Sequence, residues 1–92
     1  MIRSFRDRDT RAIFYREWVP KFERIANVAH RKLRETHRAV RLSDLAALPG
    51  NRLEALKGNR TGQHSIRIND QYRVCFVWQE KDAYDVEIVD YH

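Results

Sequence analysis

The feature that most limits how this chain can fold is a change of hydrophobic period at Gly50. Upstream, Phe22, Ile25, Ala26, Ala29 and Leu33 recur at spacings that put them on one side of a helix over roughly 21–38. Pro20 fits the first turn of that helix, where its missing N–H costs nothing. Asp7, Asp9 and Thr10 are N-cap candidates for an earlier helix reaching about Trp18. Ser43 can cap a brief helical turn through Ala47, which Pro49 and Gly50 end. Downstream, residues 64–68, 72–78 and 83–89 alternate as strands do; 52–56 is a fourth candidate and 2–5 a short first strand. Links at 69–71 and 80–82 imply consecutive hairpins. The expected class is α+β: a short N-terminal strand and two to three helices on one face of a four- to five-stranded, mainly antiparallel sheet.

Side-chain parity sharpens this picture. With three-residue links, Ile68 lies opposite Tyr72, Ile66 opposite Val74 and His64 opposite Phe76. Across the next hairpin Trp78 meets Tyr84, Phe76 meets Val86 and Val74 meets Ile88. Even-numbered residues then form one apolar face for the helices, with His64 among its structural residues. A two-residue link would shift the register by one and mix the faces. The odd-numbered face gathers Arg67, Arg73 and Tyr91, with the two arginines as direct neighbours and Tyr91 diagonal to Arg73. Adjacent like charges are unfavourable unless an anion relieves them, which marks a candidate site.

Charge is divided unevenly. Residues 1–41 carry 12 Lys/Arg against 5 Asp/Glu, whereas 42–92 carry 6 against 8. A basic half favours a polyanion, most simply nucleic acid. Arg24, Arg31, Arg34 and Arg38 line the polar side of the 21–38 helix and face either solvent, phosphates or a partner; His30 and His37, seven apart on it, read as surface residues. The chain has 92 residues, enough for one domain over 1–92. No apolar run approaches the roughly 20 residues of a membrane span, and the first residues lack the apolar stretch of a signal peptide. A cytoplasmic protein without a membrane partner is expected. The single cysteine, Cys75, permits no intramolecular disulfide and no multi-cysteine metal site. It reads as a small buried hydrophobe.

The last strand candidate runs into Asp90, Tyr91 and His92. RNA can be cut by its own 2′-hydroxyl, provided a protein deprotonates it, stabilises charge on phosphorus and protonates the leaving oxygen. His92 or Asp90 suits the base or acid, Tyr91 a proton donor or orienter, and Arg73 and Lys57 the charge stabilisers. That chemistry needs no metal and no cofactor. The alternative is a frayed tail of no consequence.

Three stretches resemble the HigB group of the RelE superfamily of toxins. The segment from Pro49 to Gly58 resembles PG-x-R-L-x-x-L-x-G; Gly62 to Phe76 is similar to G-x-(W/H)-S-(I/V)-x-(I/V)-(N/S)-x-x-(W/Y)-R-(I/L)-x-F; Asp85 to His92 is similar to D-V-x-x-x-D-Y-H. The first five residues also resemble the opening strand of that group. The resemblance implies a microbial ribonuclease-like fold and cleavage of mRNA in the ribosomal A site. It also implies neutralisation by a cognate helix-turn-helix (HigA-like) antitoxin, with operator DNA reached only through that complex. It carries catalytic roles onto Asp90, Tyr91 and His92, and basic contacts onto Lys57 and Arg73. Where some members have histidine this chain has Glu54, so either Glu54 serves as base or His92 carries more of the chemistry. Arg67, Arg31 and Arg34 are candidate RNA contacts. Two other readings remain open: a non-catalytic RNA- or ribosome-binding module, and a DNA-binding regulator, for which no helix-turn-helix pattern is visible.

Overall fold

The computed structural model describes residues 1–91. Helix α1 (Arg8–Phe14) is capped by Asp7, whose carboxylate accepts from the Thr10 N–H at 2.7 Å. It stops four residues before Trp18, because Arg16 turns left-handed at φ 64°. The Arg16 and Glu17 N–H groups then close back on the carbonyls of Ile13 and Ala12, a Schellman ending without the usual glycine. The expected 21–38 helix divides into a 3-10 segment, Pro20–Ile25, and α2, Ala26–Arg38. Its stripe is correct: Phe22, Ile25, Ala29 and Leu33 are buried. Helix α3 (Leu42–Ala46) begins one residue before Ser43, and Asp44 caps it by accepting from the N–H groups of Val40 and Arg41.

The sheet has the order β1-β2-β3-β4, all antiparallel: β1 Glu54–Ala55, β2 Gln63–Arg67, β3 Tyr72–Gln79 and β4 Asp82–Asp90. Residues 2–5 join the far edge through parallel bridges, Ile2 with Ala83 and Phe5 with Val86. The β2–β3 register is the expected one, with Ile66 opposite Val74 and Arg67 opposite Arg73. The second hairpin differs. Its link is only two residues, Glu80 and Lys81, so Trp78 faces Ala83 rather than Tyr84. A bulge between Cys75 and Val77 restores Val74 opposite Ile88. Asp85 takes φ 52° there, and its N–H donates to Ser4 Oγ at 2.9 Å. One extra residue on β4 thus cancels the slip, and the apolar face survives.

Helices α1 and α2 cover that face. Ala29 and Leu33 pack with Ile66, Val74, Phe76, Val86 and Ile88 in one cluster, and Leu45 of α3 joins it. Thr10, fully buried, accepts from the Ile88 N–H at 2.9 Å and ties α1 to β4. The two α2 histidines are half-buried rather than surface groups. His37 Nδ1 accepts from the Ile2 N–H at 3.1 Å, and His30 Nδ1 lies 3.1 Å from the Ile13 carbonyl. Among the described residues no helix is long and apolar enough to cross a membrane.

Candidate functional site

The opposite, odd-numbered face is polar and largely closed by the chain itself. Register places Glu54, Ser65, Cys75 and Glu87 in one row across the four strands, with Arg67 and Arg73 in the next. Ser65 and Cys75 are fully buried. Arg60, from the turn Gly58–Arg60, reaches over this row to Gln63 at 3.0 Å and Glu87 at 3.2 Å. Burial pushes the Cys75 thiol up to about 11, against the nearby Arg60 charge, so it stays protonated and unreactive.

Arg73 is the centre of the face. Its Nε donates to Ser65 Oγ at 2.7 Å, and its Nη2 donates to the Arg52 carbonyl at 2.7 Å. Nη2 also lies 3.5 Å from the Glu54 carboxylate. The guanidinium carbon sits 5.9 Å from the centre of the Tyr91 ring, a cation–π distance. These contacts run through Nε and Nη2; Nη1 makes no hydrogen bond among the described residues. The side chain is only 11% exposed, so the guanidinium is fixed in orientation before any ligand arrives.

That fixing extends inward. Arg52 adopts φ 46°, and its neighbour Asn51 is fully buried. Asn51 donates to the Leu45 carbonyl at 3.0 Å, accepts from the buried Lys32 ammonium, and accepts Arg67 N–H on its own carbonyl at 2.7 Å. Lys32 is neutralised by Glu35 at 3.6 Å. A buried lysine is expensive unless paired; here it locks the loop whose carbonyl holds Arg73.

The structure therefore brings Arg73, Glu54 and Tyr91 together, with Arg67 alongside. Arg67 pairs with Asp70 and Arg73 with Glu54, so the adjacent like charges are relieved by the chain's own carboxylates. Asp90, opposite Tyr72 in the register, accepts from Gln71 Nε2 at 3.1 Å. Lys57 is exposed, and its side chain makes no hydrogen bond or ion pair among the described residues. Arg31 and Arg34 belong to α2, across the sheet. Arg31 lies 3.9 Å from Glu35, and Arg34 covers the Phe14 ring at 5.2 Å. His92 lies outside the described residues. His64 keeps its core-facing place, stacked on Phe76 at 6.4 Å. Among the described residues no group of three or more His, Cys, Asp or Glu is placed to hold a metal ion.

Arg52 and Ser65 stand at fixed positions of the stretches quoted above but carry no role there, and Asn51, Lys32 and Arg60 are not singled out by the sequence. Ser65 was within reach of the parity argument, being diagonal to Arg73. The other four depend on loop paths that no local pattern announces.

Helices packed on one face of a four-stranded antiparallel sheet are the architecture of the RelE-like toxins. Two solved structures share the fold: the YoeB–YefM complex from Staphylococcus aureus and the YoeB dimer from the same organism. They superpose with TM-scores of 0.61 and 0.58, each at 18% identity, over 100% and 99% of this chain and 98% and 94% of theirs. The family model for the RelE-like toxin of the type II toxin–antitoxin system HigB matches residues 3–92, and the chain belongs to that family. Among its relatives is Toxin HigB-1 of Vibrio cholerae serotype O1 (strain ATCC 39315 / El Tor Inaba N16961). That relative is 50% identical over 54 residues, a match spanning 59% of this chain and 57% of the relative's length.

Proposed function

We propose that this protein is a ribosome-dependent mRNA endoribonuclease that arrests translation and growth and is neutralised by a cognate helix-turn-helix antitoxin. The observation that carries the reading is the pre-oriented Arg73 guanidinium beneath Tyr91, with Glu54 3.5 Å from Nη2. Family membership supports it.

In this reading the scissile phosphate sits against Nη1 of Arg73. Glu54 or His92 removes the proton of the 2′-hydroxyl, and its oxygen bonds to phosphorus. Arg73 stabilises the negative charge that builds on the phosphoryl oxygens. The P–O5′ bond breaks, and the leaving oxygen takes a proton from Tyr91, Asp90 or His92. The products are a 2′,3′-cyclic phosphate and a 5′-hydroxyl. Lys57 and Arg67 contribute phosphate contacts on the rim, and Arg31 and Arg34 dock the opposite side of the molecule on ribosomal RNA. Ribosome dependence fits a site poor in strong acid–base groups, since the particle positions the substrate. Operator DNA is reached only through the antitoxin complex, and the protein acts in the cytoplasm.

The test is to add the purified protein to a translating extract and map mRNA 5′ ends, with naked mRNA as control. Cuts within codons that need ribosomes and vanish in Arg73→Ala and His92→Ala establish the reading. Intact mRNA with retained ribosome binding assigns the protein to the non-catalytic binding class instead.

A further inference from the structure

A second polar surface lies on the far edge of the sheet, away from β1, Glu54 and Lys57. Between the N-terminal edge segment and α1 runs a groove of about 450 Å³, lined by Arg3, Arg6, Arg8, Arg11 and Tyr15. Arg3 pairs with Asp82 at 3.2 Å and Arg6 with Glu87 at 3.7 Å, both through Nε. Their terminal nitrogens make no hydrogen bond among the described residues, and neither does the Arg8 side chain. The only acid in the wall is Asp7, whose carboxylate is engaged on the Thr10 N–H.

Tyr15 gives the groove more than charge. The residue is 58% exposed, yet its ring is held in an edge contact with Phe14 at 5.1 Å, with the Arg11 guanidinium 5.6 Å from its centre. A fixed, exposed aromatic ring among guanidinium groups with donors left over is what a nucleic-acid strand requires: phosphates on the spare donors and a base on the ring. A polypeptide would gain most by adding a strand to this edge. That route has lost one of its donors, because the N–H of Ile2 already donates to His37.

We propose that this groove binds a segment of single-stranded RNA, with backbone phosphates on Arg6, Arg8 and Arg11 and one base stacked on Tyr15. The site contains neither Arg73 nor any residue that touches it, and it meets the polar face only through the Arg6–Glu87 pair. It does not rest on the cleavage reading, since a non-cleaving chain would bind RNA here equally well.

The test is fluorescence anisotropy with a labelled, uncleavable 2′-O-methyl oligouridylate of roughly 12 nucleotides, titrated over a range of salt. Arg8→Glu with Arg11→Glu should weaken binding at least about tenfold and flatten the log–log salt slope by about 1.4, since two phosphate contacts go. Tyr15→Ala should weaken binding about 5- to 100-fold with the slope unchanged. Arg8→Lys with Arg11→Lys should keep the slope, and thermal melts report that each variant is folded. The same losses should appear when the groove variants are made on an Arg73→Ala background, whatever that substitution does to cleavage or to overall affinity, which separates failure of this proposal from failure of the enzymatic one. Unchanged affinity in the glutamate and alanine variants overturns the proposal. So does displacement of the RNA by polyglutamate at equal charge, which would assign the groove to an acidic polypeptide.

Discussion

The two faces of the sheet are made from the same strands, residue against alternate residue, and they are closed by different physics. The even face is sealed by bulk: Phe76, Val74, Ile66 and Val86 are fully buried under helices whose contact with them is almost wholly apolar. The odd face is sealed by directed bonds: Ser65, Arg73, the Arg52 carbonyl, Arg60 and Glu87. Apolar burial tolerates many sequences and gives stability. Directed bonds tolerate few, and they fix one guanidinium in one orientation. The molecule keeps its apolar burial on one side and its oriented polar groups on the other.

The largest effect that tests this contrast is the protection of Cys75. If the polar face is truly closed, a thiol reagent at pH 8 should react at least about a thousandfold more slowly with the folded chain than with the chain in denaturant. Fast labelling of the native protein would break the comparison, because it would mean that the Arg60 cover opens readily. Phe76→Ala comes next, at about 3–5 kcal/mol of unfolding free energy, read from urea midpoints. Arg73→Ala should cost less, about 1–3 kcal/mol, since it leaves buried polar partners unsatisfied but empties no apolar volume. If the proposed function holds, Arg73→Ala should abolish mRNA cleavage on ribosomes, whereas Phe76→Ala, where folded, should cleave. Equal stability losses for the two variants would mean that the faces do not divide the work as argued.

The smallest effect is a pH dependence at the sheet edge. Burial first, and then the charges of Arg34, the amino terminus and Arg38, hold His37 below its ordinary value of 6.5. The unfolded chain therefore binds the proton first on acidification. The contribution of His37 to stability is complete above about pH 6.5 and declines as pH falls through that value towards the lower folded one. Amide exchange at Ile2, whose N–H donates to His37, should accelerate over that window beyond the intrinsic trend. His37→Gln should remove the extra acceleration.

The same contrast explains what the sequence disclosed. Alternation is a local property, so the apolar face, the β2–β3 register and the meeting of Arg67, Arg73 and Tyr91 were all legible from Ile66, Val74 and their neighbours. The second hairpin was not, because Glu80 and Asp85 take positive φ without the Gly or Asn that would signal it. Two departures, a short link and a bulge, cancelled each other. His37 looked exposed on a charged helix, yet the atom it meets belongs to Ile2, 35 residues away. The support of Arg73 was invisible for a related reason: the Arg52 carbonyl, 21 residues from it, is a backbone atom that any residue carries.

The bond from the Asp85 N–H to Ser4 joins positions 81 residues apart. A β3–β4 hairpin forming alone has no such partner, and nothing local favours the offset pairing over a uniform one. Correct alignment of the final strand must therefore await the arrival of the opening segment, a closure over nearly the whole chain and among the slowest kinds of contact to form. During folding, the residues around Ser4 and Asp85 have to find each other across that span. Until they meet, the strand leading to Tyr91 has no settled alignment with Arg73, and a folding chain passes through an interval in which its strands exist and its polar face is unassembled.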